Sequence, residues 1–217
     1  MTIKLCCRFL FLILSRFISQ KPESPAHGKE NPLFVIYSQV PWWGVWQRPQ
    51  EQAMGFARYF RILFISPLQV HEACFRYPHA KILTEIDKQK GITVFSPLIF
   101  SGHYCSRIVF CLNRILLKLE IQKRTAEENS IIFFTNSPFV DHLLSDLPVS
   151  TLIYDIIDDF VAFDWAPPHA DEMEKTLLTR SDIVFTGTYS LYKQKSPLCK
   201  RADFIPCGVN FDLFYPG

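Results

Sequence analysis

Residues 33–50 read Leu33-Phe34-Val35-Ile36-Tyr37-Ser38-Gln39-Val40-Pro41-Trp42-Trp43-Gly44-Val45-Trp46-Gln47-Arg48-Pro49-Gln50. Five apolar, β-prone residues end against Ser38, a tryptophan-rich loop follows, and Pro49 then opens a helical pattern in which Ala53, Phe56, Ala57 and Phe60 share a face. Proline is harmless in a first turn, where the N–H it lacks has no intrahelical partner. A strand with no polar alternation is covered on both faces, as in a parallel sheet flanked by helices. The same unit recurs down the chain. Strands are expected at Leu33–Ser38, Ile62–Ser66, Ile92–Phe95, Ile131–Thr135, Thr151–Ile156, Ile183–Thr186 and Asp203–Ile205, and helices at residues 47–59, 104–125, 138–144, 171–180 and 189–195. The expected fold class is α/β, a single Rossmann-like, doubly wound, mainly parallel sheet.

The composition agrees with one folded domain. Of 217 residues, 48% are hydrophobic and 20% charged, which excludes a disordered chain. With 23 basic and 21 acidic side chains the net charge is +2, and no RNA- or DNA-binding signature appears, so no nucleic acid is expected as a partner. The charge is uneven, however. Lys4, Arg8, Arg16 and Lys21 precede the first acid, Glu23. We therefore divide the chain into a basic apolar segment at 1–20, a polar proline-bearing linker at 21–32 and the α/β domain at 33–217.

The apolar stretch from Leu5 to Leu14 is interrupted by Arg8 and falls short of the roughly 20 residues a spanning helix needs. Three readings of it stay open: a segment lying on an anionic membrane surface, a helix packed on the domain, or a poor signal peptide. The matching expectation for location is cytoplasmic, peripheral on the inner face of a membrane. Seven cysteines, an odd number with no CxxC, fit neither a disulfide framework nor a zinc site and read as buried thiols in a reducing compartment. His71-Glu72 lacks the second histidine of HExxH. No metal is expected.

In a doubly wound sheet, ligands bind beyond the carboxyl ends of the strands, so the residues after each strand matter most. No GxGxxG or Walker A loop follows any of them, and no cofactor is expected. Arg48 falls in the first turn of a helix, where the dipole disfavours a cation, so it calls for an anion: a ligand phosphate or carboxylate, or a carboxylate of the protein. Trp42, Trp43 and Trp46 suit either stacking on sugar rings or pinning the loop to the core. After Tyr154 come Asp155, Asp158 and Asp159, which suit acid/base work, a cation, hydrogen bonds to hydroxyls, or capping of the next turn with Arg48 as ion-pair partner. Arg107–Lys123 reads as a sheet-covering helix whose apolar face is Ile108, Cys111, Leu112, Ile115, Leu119 and Ile121. Its basic side is solvated, or is a patch for anionic lipid or polymer.

Four fragments in order carry a resemblance. Trp46-Gln47-Arg48-Pro49-Gln50, then Tyr154-Asp155-x-x-Asp158-Asp159, then Asp182-Ile183-Val184-Phe185-Thr186-x-x-Tyr189-x-Leu191, then Ile205-Pro206-x-Gly208-Val209-Asn210-x-x-x-Phe214 resemble the N-terminal domain of GT-B glycosyltransferases. The likeness is to retaining family-4 enzymes of bacterial polysaccharide and teichuronic-acid assembly, and it covers residues 33–215. It implies an acceptor-side domain facing a second Rossmann-like domain that binds a nucleotide-sugar. The substrate-binding residues it implies are Trp46, Gln47, Arg48, Asp158, Asp159 and Tyr189, with no catalytic residue assigned. Cys207 stands where the family often has Asn.

The family's donor half, with its Glu-x7-Glu pattern, has no counterpart in residues 1–217. Transfer needs both substrates in one geometry, and a single sheet without a phosphate-cradling loop offers no hold on a nucleotide diphosphate. The expectation is an acceptor-side half, inactive alone, with a separate donor-binding chain and a glycan or lipid-linked acceptor as partners. A non-catalytic saccharide- or protein-binding module is the second reading, and a decaying gene product with an exposed interdomain face the third.

Overall fold

The computed structural model describes residues 32–208 apart from Lys88 and Pro168. The expectations for residues 1–31 and for Val209, Asn210 and Phe214 lie outside the described residues. In chain order the elements are β1 (Leu33–Tyr37), α1 (Arg48–Phe56), β2 (Ile62–Ile65), β3 (Leu68–Gln69), a π-helical turn (Glu72–Arg76), β4 (Leu83–Asp87), β5 (Ile92–Phe95), β6 (Leu98–Ile99) and α2 (Arg107–Thr125). There follow β7 (Ile131–Thr135), β8 (Val149–Ile156), α3 (Ala170–Arg180), β9 (Ile183–Thr186), α4 (Tyr189–Lys195) and β10 (Ala202–Phe204).

Eight strands form one sheet in the order β10-β9-β8-β7-β1-β2-β5-β4, and β3 pairs with β6 beside it. All neighbours in the large sheet are parallel except β4 against β5. The expected mainly parallel α/β sheet is the observed one. Alternate residues of the same strands feed two apolar layers. Leu33, Val35 and Tyr37 of β1 face a layer completed by Leu117 and Ile121 of α2, Leu177 and Leu178 of α3 and Leu191 of α4. Phe34 and Ile36 face the other way, onto Phe64, Phe134 and the Ala53–Ala57 side of α1. Helices therefore cover both faces, as continuous hydrophobicity in a strand requires.

Three short or atypical strands escape the sequence reading. β3 and β6 are two residues each, too short for any periodicity to register. β4 is an antiparallel edge strand with Glu85 exposed and a register shift between Glu85 and Asp87, and charge with irregularity is how sheet edges resist further pairing. The expected helix at 138–144 is corrected to one 3-10 turn, Asp141–Leu143. The hydroxyls of Thr135 and Ser137 accept from the backbone N–H of Ser137 and Phe139, and such local bonds compete with helix formation.

The face assigned to α2 is also corrected. Of the six apolar residues expected on the sheet, only Ile121 is buried there, together with Asn113, Leu117 and Thr125. Ile108, Cys111, Leu112, Ile115 and Leu119 are exposed. The buried side is half polar: Asn113 turns inward because it bonds the Phe100 N–H and carbonyl at 2.9 and 3.0 Å, and that places Leu117 and Ile121 on the sheet.

Phe134 is fully buried between Phe34 and Phe56, at ring-centroid distances of 6.0 and 5.8 Å. Phe134→Ala is expected to cost about 3–5 kcal/mol by transfer and cavity terms. Ile115→Gln on the exposed stripe should stay within about 0.5 kcal/mol. Chemical denaturation of the two variants checks the contrast.

Candidate functional site

β1 has β2 on one side and β7 on the other, and the chain crosses over β1 to reach β7 only after β5 and α2. The strand order therefore reverses between β1 and β7, and parallel geometry opens a crevice beyond their carboxyl ends. Ser38 and Gln39 leave β1 there, and Asn136 and Ser137 leave β7. Asn136 Oδ1 accepts from the Gln39 backbone N–H at 3.0 Å, and Asn136 Nδ2 donates to Ser38 Oγ at 3.2 Å. Gln39 Nε2 donates to Ser137 Oγ at 3.0 Å and to the Tyr104 hydroxyl at 3.2 Å, while Gln39 Oε1 has no protein partner. Tyr104 joins this polar floor to a wall of rings. Its ring lies 5.3 Å from Trp165, which stacks on Phe163 at 5.3 Å and 12°, and both Trp165 and Phe163 are exposed. Burial pushes the Tyr104 hydroxyl up, so it stays protonated and can donate.

The loop after β1 returns as α1, and here Arg48 finds its anion. Arg48 Nε and Nη2 donate to Asp155 Oδ2 and Oδ1 at 2.8 and 2.7 Å, and Nη1 donates to the Ile205 carbonyl at 2.7 Å. Gln52 Nε2, one turn later on α1, adds a 2.8 Å bond to Asp155 Oδ2. Asp155 is fully buried. Burial alone would lower the Arg48 pKa, but the bonds to Asp155 outweigh it and the net direction is upward. Of the two anions the sequence allows Arg48, the protein's own carboxylate is the one in contact. With a longer contact from Nη1 to Cys207 Sγ at 3.9 Å, four bonds from Arg48 go to protein.

The remaining candidates distribute along the same rim. Gln47 is the residue before α1, and its backbone N–H donates to Gln50 Oε1 at 3.1 Å, which leaves its side chain exposed. Trp46 is half exposed and donates from Nε1 to Glu51 at 2.6 Å, whereas Trp42 is buried on Phe64 and Trp43 donates to Ser96 Oγ. One tryptophan is core, one is latched, and one presents a face. Asp158 is exposed and accepts from the Asp159 N–H. Asp159 lies 3.6 Å from Lys195, itself buried on Glu174 at 2.6 Å, and the Tyr154 hydroxyl donates to the other Glu174 oxygen at 2.9 Å. Tyr189 opens α4, exposed and stacked beside Tyr192. The structure thus joins Arg48 to Asp155, the neighbour of the expected Asp158 and Asp159, and leaves Trp46 and Tyr189 outward.

Sequence reasoning gave no part to Gln39, Tyr104, Asn136, Ser137 or Trp165. Asn136-Ser137 directly after a strand was a signal of the right kind, but its value depends on β7 lying beside β1, which spacing along the chain does not reveal. Among the described residues no group of three His, Cys, Asp or Glu is placed to hold a metal ion. The expectation of buried thiols is corrected: Cys105, Cys111 and Cys207 are exposed and Cys74 and Cys199 half-buried, all of them free. Cys105, Cys111 and Cys207 lie outside both apolar layers, while Cys199 packs against the edge of the first.

No family model matches the chain, and no curated protein is found similar to it in sequence. Solved structures are similar in fold. Sucrose-phosphate synthase from Thermosynechococcus elongatus aligns with a TM-score of 0.61 at 14% identity, over 86% of this chain and 51% of that one. A second chain of that synthase aligns with a TM-score of 0.51 at 14% identity, over 85% of this chain and 93% of that one. A trehalose-6-phosphate protein from E. coli, bound with UDP-2-fluoro glucose, aligns at 0.53 and 10% identity, over 83% of this chain and 49% of that one. These neighbours are GT-B glycosyltransferases, and the α/β domain described here has the Rossmann-like fold of a GT-B domain. The chain spans about half the length of the first and third of them.

Two outcomes test the electrostatics. Arg48→Ala strands the buried Asp155 with only Gln52, so a loss of about 3–5 kcal/mol is expected, partly regained when Asp155→Leu is added. Denaturation of the two singles and the double measures the coupling, and a single-variant loss near zero would show that the pair holds nothing. Burial holds His103 down at about 4, and burial with Arg114, His103 and Lys118 nearby holds His142 down at about 3. Unfolded histidine takes a proton near about 6.5. Stability is therefore complete above that pH and lost as pH falls toward 4. A melting series from pH 7 to 4 should decline steeply for the parent and less steeply for His103→Gln.

Proposed function

We propose that this domain is the acceptor-side half of a nucleotide-sugar-dependent glycosyltransferase of polysaccharide or glycoconjugate assembly. The observation that carries the reading is the crevice at the β1/β7 reversal. Its floor is a largely buried amide and hydroxyl network of Gln39, Asn136 and Ser137 that ties the exits of β1 and β7 together, and its accessible wall is the exposed Phe163–Trp165 pair. Pyranose rings offer the complement, hydroxyls at the edge and C–H groups on the face, and aromatic faces stack on the latter. Trp46, Gln47, Arg48, Asp158, Asp159 and Tyr189 complete the rim in this reading. Arg48 acts by holding the loop and the exit of β10 in place, and the exposed Trp46 and Tyr189 faces meet more distant sugar units.

The likeness to halves of two GT-B enzymes supports the reaction class. Glycosyl transfer brings an acceptor hydroxyl to the anomeric carbon of a donor, and the donor diphosphate must be held by fixed cations or N–H groups. Among the described residues the nearby cations Arg48 and Lys195 are already paired with Asp155 and Glu174, so in this reading the donor belongs to a second domain. A lipid-linked glycan is the acceptor this reading favours, on the inner face of a membrane. One observation favours a non-catalytic saccharide-binding module instead: Asp155 and Asp159 are taken up by Arg48 and Lys195, so of the three aspartates after Tyr154 only the exposed Asp158 has no ion pair among the described residues.

A transfer assay with labelled nucleotide-sugar and glycan acceptor should give no turnover with residues 1–217 alone and restored turnover with a donor-binding half supplied. Turnover by the chain alone would overturn the division of labour, and tight glycan binding with no transfer in either case would favour the second reading. Trp165→Ala should weaken glycan binding by about three- to tenfold in calorimetry, the worth of one stacked ring.

A further inference from the structure

Among the described residues, the outer side of α2 has no partner. Ile108, Leu112, Ile115 and Leu119 are 74%, 48%, 58% and 57% exposed. Their spacing of four, three and four residues sets them in one line along the helix, since i, i+4 and i+7 share a face. The buried stripe of Asn113, Leu117 and Ile121 lies on the opposite side. A helix that needed only to cover the sheet would be polar there. One flank of the line is basic, with Arg107, Arg114 and Lys118 on one side of the helix, two turns and then one turn apart. Arg114 and Lys118 also line a groove of ≈ 460 Å³ with Cys111, Ile115, His142 and Ser145.

Three occupants fit an apolar line of this length, and charge separates them. A second copy packed through the same face would bring its own Arg107, Arg114 and Lys118 against these, and like charges across an interface oppose association. The chain's own first 21 residues are apolar but carry Lys4, Arg8, Arg16 and Lys21 with no acid, so they repeat the problem. An anionic lipid surface supplies both complements, an acyl boundary for the apolar line and phosphates for the basic flank.

We propose that α2 is a membrane-docking helix. Its outer line enters the boundary between headgroups and acyl chains of an anionic bilayer, and Arg107, Arg114 and Lys118 meet lipid phosphates. Asp146, which pairs with Lys118 at 2.8 Å, is exposed and yields to a phosphate without disturbing the core. The site is distinct from the crevice and does not rest on the glycosyl-transfer reading. It does give that reading a direction, because Tyr104 of the crevice lies three residues before α2.

The test is co-sedimentation of the full chain with vesicles of phosphatidylglycerol and phosphatidylcholine, against phosphatidylcholine alone. The parent should partition to the anionic vesicles at least tenfold more strongly and lose that binding in high salt. Ile115→Glu with Leu119→Glu should reduce partitioning at least tenfold with an unchanged circular dichroism spectrum and melting temperature, since both positions are exposed. Arg107→Glu with Arg114→Glu should do the same. Unchanged binding by the Ile115/Leu119 variant would assign the membrane contact to residues 1–21 and overturn the proposal. So would a parent that ignores anionic vesicles, or one that sediments as a dimer which the same variant makes monomeric.

Discussion

A carboxylate with no solvent access must be answered within the fold, and Asp155 is the one on which this domain turns. Leaving it charged in an apolar layer would cost several kcal/mol, so its position is tenable only with the Arg48 fork and Gln52 in place. The requirement reaches across the molecule. Asp155 is on β8, Arg48 and Gln52 are on α1, and the third Arg48 bond goes to the backbone that leaves β10. Three elements distant in sequence are thereby brought to one point on the rim. The first turn of a helix is a poor place for a cation, and the bidentate geometry offsets that penalty. The same arrangement fixes where the tryptophan loop ends, while Asn136 holds its start at Ser38 and Gln39.

Several residues that drew attention as chemistry prove to hold the architecture. Tyr154 and Glu174 satisfy each other and Lys195 in the layer beneath α3 and α4, and Asp182 accepts from the Leu152 N–H and so ties β8 to β9. The ordered fragments that resemble GT-B domains contain many of these groups. That is why short, scattered matches can track a fold when the overall identity to its solved examples is 14% or less. The specificity of such a fold is then free to reside elsewhere, in loops such as 137–140 and 160–166.

The limits of reading the chain alone follow from the same physics. Strands with unbroken apolar runs, Leu33–Tyr37 or Ile131–Thr135, declare themselves because nothing else in a soluble domain looks like them. The pairing of Arg48 with an aspartate after Tyr154 was within reach, since a misplaced cation implies an anion, but only Asp155 lies inside β8, while Asp158 and Asp159 fall past its end. The polar floor was not legible: Gln39 and Asn136 are ordinary loop residues until β7 is known to lie against β1. The outward line on α2 misled for a different reason. The stripe that faces the sheet carries Asn113, bonded to the Phe100 backbone, and Thr125 beside Leu117 and Ile121, so it is the less apolar of the two and hydrophobic periodicity passes over it.

The bond from Arg48 to the Ile205 carbonyl spans 157 positions of sequence and has one further effect. It pins the backbone where the final strand gives out, so the heading of the polypeptide beyond that point is dictated by a side chain near its beginning. The exit of β10 is thereby held beside the start of α1, and a change at Arg48 would be felt at both ends of the sheet's connections.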